Sequence, residues 1–270
     1  MADLLHQPYY SGFDLFSSNV EAQLMPDAIP QFIQGEEHDD AVVICLHGFT
    51  GVPYEVMPVA KAIAQLGISA AVPLLPGHGF RDRSVQEKEF SRITKEGILA
   101  AVRQEIARAR ERYRWVSMFG FSMGGAIALS MAEENLLDVC VVAAPAIRLP
   151  LRGEILIPLL SWASFTLPAP SKESFYLPGY DFHHSRALRT LWQLACHSRK
   201  YLDQIQCPLF GVHSHHDAVV PPVVLDMMKE SIPGTVKTQW FDDSGHVMLL
   251  DQSGLQVASS IAAFFRDQLI

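Results

Sequence analysis

The chain has 270 residues, of which 49 % are hydrophobic and 19 % charged, and its formal net charge is −8. This length fits one large α/β domain or two small ones, and the composition excludes a disordered chain. An acidic surface repels polyphosphate, so nucleic acid is not expected as the main partner.

From residue 41 onward, strand-like apolar runs alternate with helical patterns. Residues 41–46 form a near-continuous apolar run, which is typical of a strand buried on both faces. Residues 53–66 follow with apolar side chains on one helical face, and Gly67 ends that helix. The next predicted elements alternate in the same way: strand 68–72, helix 99–112, strand 115–121, helix 123–133 and strand 139–143.

Residues 147–200 interrupt this alternation. They contain several prolines and many large apolar residues but no strand-like run, so we expect an irregular insertion between two core strands. The alternation then resumes with strand 208–212, helix 222–230, strand 236–241 and an amphipathic helix over 255–265. This order predicts an α/β fold in a single domain over 1–270, with a mostly parallel central sheet and helices on both faces.

A candidate nucleophile lies between the strand and the helix of the third predicted strand–helix pair. Residues 120–124 read Gly-Phe-Ser-Met-Gly and match G-x-S-x-G. Their position between a predicted strand and a predicted helix is the setting of a nucleophile elbow. The turn strains the serine backbone, and Gly120 and Gly124 allow the strand and the helix to approach closely. We therefore interpret Ser122 as a nucleophile rather than as part of a chance glycine-rich turn.

A second glycine-rich turn follows the strand at 41–46. Residues 47–51 read His-Gly-Phe-Thr-Gly, and such a turn can aim a backbone N–H at a developing oxyanion. We expect the amide of Phe49 to act together with the amide of Met123, the residue after the nucleophile. The helix that begins at Met123 also directs the positive end of its dipole at the site. A plain turn is the alternative interpretation of residues 47–51.

The general base and its acid are expected late in the chain. His246 follows the last predicted strand, and Asp217 follows the strand at 208–212. The resulting order of serine, aspartate and histidine is that expected for a nucleophile elbow. Asp242 and Asp243 are alternative acids, but they lie too close to His246 in sequence to orient it easily.

Metal, disulfide and membrane functions are not expected. His213, His215 and His216 alternate along an extended loop without a carboxylate cluster to complete a metal shell. His183 and His184 are expected on a polar surface, and His78 in a structural turn. The four cysteines form no CxxC pair, so neither a zinc site nor a disulfide framework is predicted.

The N-terminal segment and the longest apolar stretch favour a cytoplasmic protein. The first ten residues lack a basic segment followed by an apolar run, so no secretory signal is expected. The longest apolar stretch, residues 155–167, contains Pro158 and is too short to span a bilayer, so stable membrane insertion is not predicted. The sequence leaves the oligomeric state open.

Five sequence blocks resemble the small carboxylesterases of the α/β-hydrolase superfamily, in the branch that also holds monoacylglycerol lipases. They are LHGFTG at 46–51, PLLPGHG at 73–79, GFSMGG at 120–125, HHDAVVP at 215–221 and SGHVMLLDQ at 244–252. The resemblance implies the α/β-hydrolase fold, a triad of Ser122, Asp217 and His246, and oxyanion donors at Phe49 and Met123. It also implies catalysis without a cofactor and a small helical cap, which is where residues 147–200 fall.

The apolar side chains of the insertion have two interpretations, and one of them predicts the class of substrate. They could form the wall of an acyl-chain site or could simply pack the cap onto the core. The first interpretation predicts a carboxylesterase for esters of short to medium apolar acyl chains. A monoacylglycerol lipase, a thioesterase, a carbon–carbon hydrolase and a non-catalytic ligand sensor remain as alternatives, because the triad alone does not distinguish substrates.

Overall fold

The structure, a computed structural model, describes residues 8–14, 18–171 and 173–270. The strands are β1 Gln31–Ile33, β2 His38–Leu46, β3 Ile68–Val72, β4 Trp115–Phe121, β5 Cys140–Ala143, β6 Thr166–Pro168, β7 Phe182–His184, β8 Leu209–His213 and β9 Val236–Trp240. The helices are α1 Ser18–Glu21, α2 Met57–Gln65, α3 Arg83–Phe90, α4 Lys95–Arg110, α5 Met123–Glu133, α6 Leu151–Leu160, α7 Ser185–Lys200, α8 Val224–Ser231 and α9 Gly254–Leu269. Short 3₁₀ turns occur at Pro26–Ala28, Pro53–Val56 and Leu202–Gln204.

In the part of the chain that the structure describes, seven strands form the central sheet in the order β1-β3-β2-β4-β5-β8-β9. All neighbouring pairs are parallel except β1 and β3, which are antiparallel at one edge. The predicted fold, a mostly parallel sheet with helices on both faces, is confirmed. Because the strands are parallel, the loops after β4, β8 and β9 leave the sheet at the same edge, where side chains distant in sequence can meet.

Alternating side chains of the central strands supply two separate apolar layers. In β2, Val42 and Ile44 pack into the layer that contains α4, α5 and α7, whereas Val43 and Cys45 pack into the layer with α2 and α9. All four of these side chains are fully buried. Burial on both faces explains why this segment reads as a continuous apolar run in the sequence.

Several predicted boundaries differ from those observed. Strand β2 begins at His38, three residues before the apolar run. The sequence pattern missed this start because the first three residues of the strand are polar and at least partly exposed. The helix predicted over 53–66 begins as the 3₁₀ turn Pro53–Val56 and becomes α-helical at Met57. Helix α3 was not predicted; it begins at the Asp82 cap, whose side chain accepts hydrogen bonds from the amides of Ser84 and Val85.

The expectation of an irregular segment over 147–200 is wrong for much of its length. The segment contains α6, an antiparallel pair β6–β7, and the 16-residue helix α7. Helix α7 packs against α5 in the core, and its Leu194 is fully buried. We therefore propose that the cap is the shorter segment 147–184 and that α7 belongs to the core layers.

Helix α6 has an unusual surface for a helix of this size. None of its residues is buried, and most of its apolar side chains are exposed to solvent. Leu151 is 72 % exposed and Leu159 is 62 % exposed, and Trp162, directly after the helix, is 77 % exposed. The cap therefore presents an apolar outer face.

Membrane-spanning capacity was assessed over residues 8–14, 18–171 and 173–270. Within those ranges, every helix is too short or too polar to cross a bilayer. Residues 1–7, which include most of the segment examined for a secretory signal, lie outside the described ranges.

The close approach of α5 to β2 predicts a large cost for a side chain at Gly124. A Cβ there would lie 2.3 Å from the carbonyl oxygen of Leu46, which is backbone and cannot move aside. We expect Gly124→Ala to lower the free energy of unfolding by about 1–3 kcal/mol, measured by urea denaturation.

Gly153→Ala in α6 is the matched control. A Cβ at Gly153 meets no atom closer than 3.6 Å. Alanine is the better helix former, so the unfolding free energy should stay unchanged or rise by up to about 1 kcal/mol. Equal losses in the two variants would contradict the packing argument.

Candidate active site

Ser122 occupies the sharp turn between β4 and α5. Its backbone angles, φ 54° and ψ −114°, lie in a region that L-residues rarely adopt. The turn is possible because its flanks are small: a Cβ at Gly120 would lie 2.1 Å from the carbonyl oxygen of Gly124. The predicted elbow geometry is therefore present at this serine.

Three backbone hydrogen bonds hold the strained turn. The Ser122 amide donates to the carbonyl of Ala143 at the end of β5, over 2.9 Å. The Ser122 carbonyl accepts from the amides of Ala126 and Ala146, at 3.2 and 2.9 Å. The serine backbone is thus fixed by both α5 and the neighbouring strand, and its side chain is 7 % exposed.

His246 joins Ser122 to Asp217 although the three residues are far apart in sequence. Its Nε2 lies 3.1 Å from the Oγ of Ser122, and its Nδ1 lies 2.7 Å from Oδ2 of Asp217. An ionised carboxylate only accepts hydrogen bonds, so Nδ1 carries the proton and Nε2 is free to accept the serine proton. The structure brings together the three residues that the sequence singled out.

The carboxylate of Asp217 is buried, and both of its oxygens accept hydrogen bonds from protein groups. Its Oδ1 accepts from the amides of Val219 and Val220 at 2.7 and 2.8 Å. Burial by itself raises the pKa of Asp217, but the hydrogen bond from His246 and the two amides outweigh it, so the pKa lies below its ordinary value. Asp217 is therefore ionised at neutral pH and orients the imidazole.

A buried serine ties together the two loops that hold Asp217 and His246. The Oγ of Ser214 donates to the carbonyl of Ser244 at 2.6 Å and accepts from the amide of His216 at 3.0 Å. Ser214 is fully buried and Ser244 is 3 % exposed. The acid loop after β8 and the base loop after β9 are thus fixed relative to each other.

Residues 47–51, here called the oxyanion loop, follow β2 and lie beside the elbow. The amide of Phe49 has no hydrogen-bond partner among the described residues. Met123 is the first residue of α5, and amides in a first helical turn have no acceptor within the helix. Both N–H groups that the sequence suggested as oxyanion donors are thus available to a ligand.

Neighbouring groups hydrogen-bond to three carbonyl oxygens of the oxyanion loop. His47 Nε2 accepts from the amide of Leu75 at 3.1 Å, so its Nδ1 carries a proton and donates to the carbonyl of Gly48 at 3.0 Å. His78 Nε2 lies 2.5 Å from the carbonyl oxygen of Phe49. The amide of Tyr180 in the cap donates to the carbonyl of Thr50 at 2.9 Å.

Two side chains that contact the oxyanion loop, His78 and Glu55, were not assigned to the site from the sequence. His78 was expected in a structural turn, and it is buried against the oxyanion loop. Glu55 was missed; it is 6 % exposed, and its Oε2 accepts from the amide of Gly48 at 2.8 Å. The only sequence signal for it is an acidic residue in an otherwise apolar stretch just after the glycine-rich turn.

The remaining candidate residues do not join the triad. Asp242, the alternative acid, pairs with His215 at 2.8 Å and not with His246. The expectation that His183 and His184 form a polar surface is wrong: His184 is 5 % exposed and accepts from the amide of Arg186, and His183 packs against the ring of Phe49. Within the described ranges, histidine, cysteine and carboxylate side chains nowhere form a group of three that could hold a metal ion.

Comparisons with known proteins agree with this geometry. A family model described as "Alpha/beta hydrolase family" matches residues 43–259. A thermostable monoacylglycerol lipase of Bacillus sp. (strain H-257) is 29 % identical over 238 residues, covering 85 % of this chain and 92 % of that protein. A carboxylesterase of Bacillus subtilis (strain 168) is 23 % identical over 219 residues, covering 79 % and 87 %.

A solved structure also matches most of the chain. It comes from work on two metagenome-derived lipolytic enzymes, LipS and LipT, and superimposes with a TM-score of 0.82. The match is 25 % identical and covers 91 % of this chain and 100 % of that one.

Removal of the Ser214 hydroxyl should destabilise the site scaffold. Ser214→Ala leaves the carbonyl of Ser244 and the amide of His216 without a buried partner, so we expect a loss of about 1–3 kcal/mol in unfolding free energy. Ser259→Ala, at an exposed position of α9, is the control and should change the value by less than about 0.5 kcal/mol. Urea denaturation measures both, and similar values for the two variants would argue against the tie between the loops.

Proposed function

Since the chain belongs to the alpha/beta hydrolase family, we propose that it is a serine carboxylesterase that cleaves esters of short to medium apolar acyl chains through an acyl-enzyme. The observation that carries the proposal is the contact of His246 with both Ser122 Oγ and Asp217, at 3.1 and 2.7 Å. A serine hydroxyl is a weak nucleophile unless such a base removes its proton.

Each of the three side chains has a separate task in the proposed mechanism. Ser122 Oγ attacks the ester carbonyl while its proton moves to Nε2 of His246. The resulting imidazolium is stabilised by Asp217 and then returns the proton to the departing alcohol. A water molecule, activated by the same histidine, cleaves the acyl-enzyme and restores the hydroxyl of Ser122.

The developing oxyanion is assigned to the amides of Phe49 and Met123. Donors fixed in advance stabilise the tetrahedral intermediate without reorganisation, and loss of one such donor costs about 10²–10³ in rate in a serine protease. The dipole of α5 adds to this effect because its N-terminus lies at Ser122. This chemistry needs no cofactor and no metal ion.

Monoacylglycerol lipase activity is the second candidate. It is favoured by the relative from Bacillus sp. (strain H-257), which has the higher identity of the two curated proteins compared. A monoacylglycerol and an ethyl ester of the same acyl chain distinguish the two candidates. A kcat/KM at least tenfold higher for the monoacylglycerol favours the lipase, and similar values favour the esterase.

We further propose a cytoplasmic location and a small apolar ester as the partner molecule. The location is supported by four free cysteines, of which Cys45 and Cys140 are buried thiols in the sheet. Paired cysteines are the rule in oxidising compartments. The net charge of −8 gives no support to a nucleic-acid partner.

The proposed nucleophile is tested by Ser122→Ala. We expect hydrolysis of p-nitrophenyl butyrate to fall by roughly 10⁴-fold or more and covalent labelling by a fluorophosphonate to disappear. Ser117→Ala is a matched control: Ser117 is a buried serine on the same strand, β4, and its Oγ has no partner among the described residues. Retention of labelling in Ser122→Ala would assign the nucleophile elsewhere.

The acyl preference is tested with p-nitrophenyl esters of increasing chain length. Each buried methylene contributes about 0.8 kcal/mol, so butyrate or octanoate should exceed acetate in kcat/KM. A series that is flat or declines from acetate would refute the preference for longer chains and leave the hydrolase mechanism untouched.

A further inference from the structure

The oxyanion loop contains a conformational problem at Gly48. A glycine has the widest freedom in φ and ψ of any residue. The carbonyl of Gly48 and the N–H of Phe49 belong to one planar peptide unit, so any rotation of that unit turns the N–H as well. An oxyanion donor at Phe49 therefore requires Gly48 to be fixed on both sides.

Both sides of Gly48 are held by buried side chains. On the carbonyl side, Nδ1 of His47 donates to the Gly48 oxygen at 3.0 Å. On the amide side, Oε2 of Glu55 accepts the Gly48 N–H at 2.8 Å. Together these two contacts fix φ and ψ of Gly48 and so the direction of the Phe49 N–H.

The local sequence brings Glu55 back beneath the loop that precedes it. The 3₁₀ turn Pro53–Val56 reverses the chain, and its proline starts the turn. Gly51 leaves the space that the carboxylate fills, since a Cβ at this position would lie 2.1 Å from Oε2 of Glu55. Residues 177–181 of the cap close the far side of a cavity of about 120 Å³ that Glu55 lines.

We propose that Glu55 is a positioning residue for the oxyanion hole, whose carboxyl group fixes the amide of Gly48 and thereby directs the N–H of Phe49 at the reacting carbonyl. Glu55 takes no proton from the substrate and touches no reacting atom. The inference rests on the proposed ester hydrolysis at Ser122, and it adds a residue that the triad and the oxyanion donors do not include.

The surroundings of Glu55 give its contact a dependence on pH. Burial raises its pKa to about 7, against the opposing effects of the Gly48 amide and of the charge on His246. Since an ionised carboxylate is a stronger acceptor than a neutral carboxyl group, the hold on Gly48 strengthens as the pH rises through this value.

Other titratable side chains lie near Glu55 on the neighbouring loops and the cap: His47, His78, Tyr180, Asp181 and His246. Burial lowers the pKa of both loop histidines, helped at His47 by the nearby His78, and burial raises the pKa of the tyrosine. These three are therefore neutral near pH 7. Asp181 is exposed and forms an ion pair with Arg83.

The experiment compares Glu55→Ala, which removes the acceptor, with Glu55→Gln, which retains an acceptor oxygen without the charge. For each variant, kcat and KM are measured with p-nitrophenyl butyrate. The affinity for phenylboronic acid is measured in parallel by calorimetry. The boronate forms a tetrahedral adduct on Ser122 Oγ, whose B–O bond forms as the serine proton moves to His246, and this adduct uses the oxyanion hole.

We expect Glu55→Ala to lower kcat by about 10–100-fold with little change in KM, and to weaken boronate binding by a similar factor. Glu55→Gln should recover most of both losses. Wild-type kcat in the alanine variant, unchanged boronate affinity in it, or a glutamine variant as impaired as the alanine variant would each overturn the proposal. If Glu55→Ala does not fold, Glu55→Asp replaces it, because its side chain is one methylene shorter and moves the acceptor away from Gly48. We then expect kcat and boronate affinity to be lower in Glu55→Asp than in Glu55→Gln.

A pH series separates positioning from a merely structural role. Between pH 6 and 8, kcat/KM of the wild type relative to Glu55→Gln should rise by about two- to fivefold, because only the wild type gains a charged acceptor. A ratio independent of pH would refute the contribution of the charge. Glu230→Ala, at an exposed position of α8, is the control for a removed carboxylate and should keep wild-type activity.

The design distinguishes failure of this inference from failure of the proposed function. A wild type that does not hydrolyse esters would refute the proposed function, and the boronate affinities of the variants would still test the positioning by Glu55. A wild type that hydrolyses esters while Glu55→Ala retains its kcat and boronate affinity would refute the positioning alone.

Discussion

The strained backbone of Ser122 is the constraint on which the rest of this structure depends. Its left-handed φ of 54° is sterically unfavourable for a serine, so the surrounding chain must hold it in place. Gly120 allows β4, and Gly124 allows β2, to approach α5 more closely than any side chain would permit. The Ser122 amide donates to the carbonyl of Ala143 at the end of β5, and the Ser122 carbonyl accepts from the amide of Ala146 just beyond that strand.

Burial and hydrogen bonding set the protonation states of the side chains around that turn. Asp217 stays ionised because hydrogen bonds outweigh its desolvation, whereas the two histidines of the neighbouring loops stay neutral because they are desolvated. Neutral imidazoles can serve as fixed donors to carbonyl groups without competing for the proton of Ser122. Among the described residues, His246 is the histidine that hydrogen-bonds to Ser122 Oγ, whereas His47 and His78 contact carbonyl groups of the oxyanion loop.

The cap differs from the core in the direction of its apolar side chains. Helix α6 has a leucine-rich sequence but buries none of its residues, and α7, which follows in the chain, packs firmly against α5. The more apolar helix, α6, is therefore the more exposed of the two, whereas the more polar helix, α7, buries its apolar face. The difference arises because α7 lies along the core layer, whereas α6 stands outside it with Leu151 and Leu159 turned to solvent.

The sequence by itself determined the alternating strands and helices, the elbow at Ser122 and the three side chains at its centre. These follow from local physics: apolar periodicity, glycine at close approaches, and the chain order of serine, acid and base. Tertiary structure alone decided the parts that depend on distant contacts. Helix α7 was not separated from the short cap, because no strand-like run in the sequence marks the boundary between them. The role of Glu55 could not be predicted from the sequence, because it depends on a turn that folds this residue back onto Gly48. Only the folded chain brings that carboxylate and that amide together.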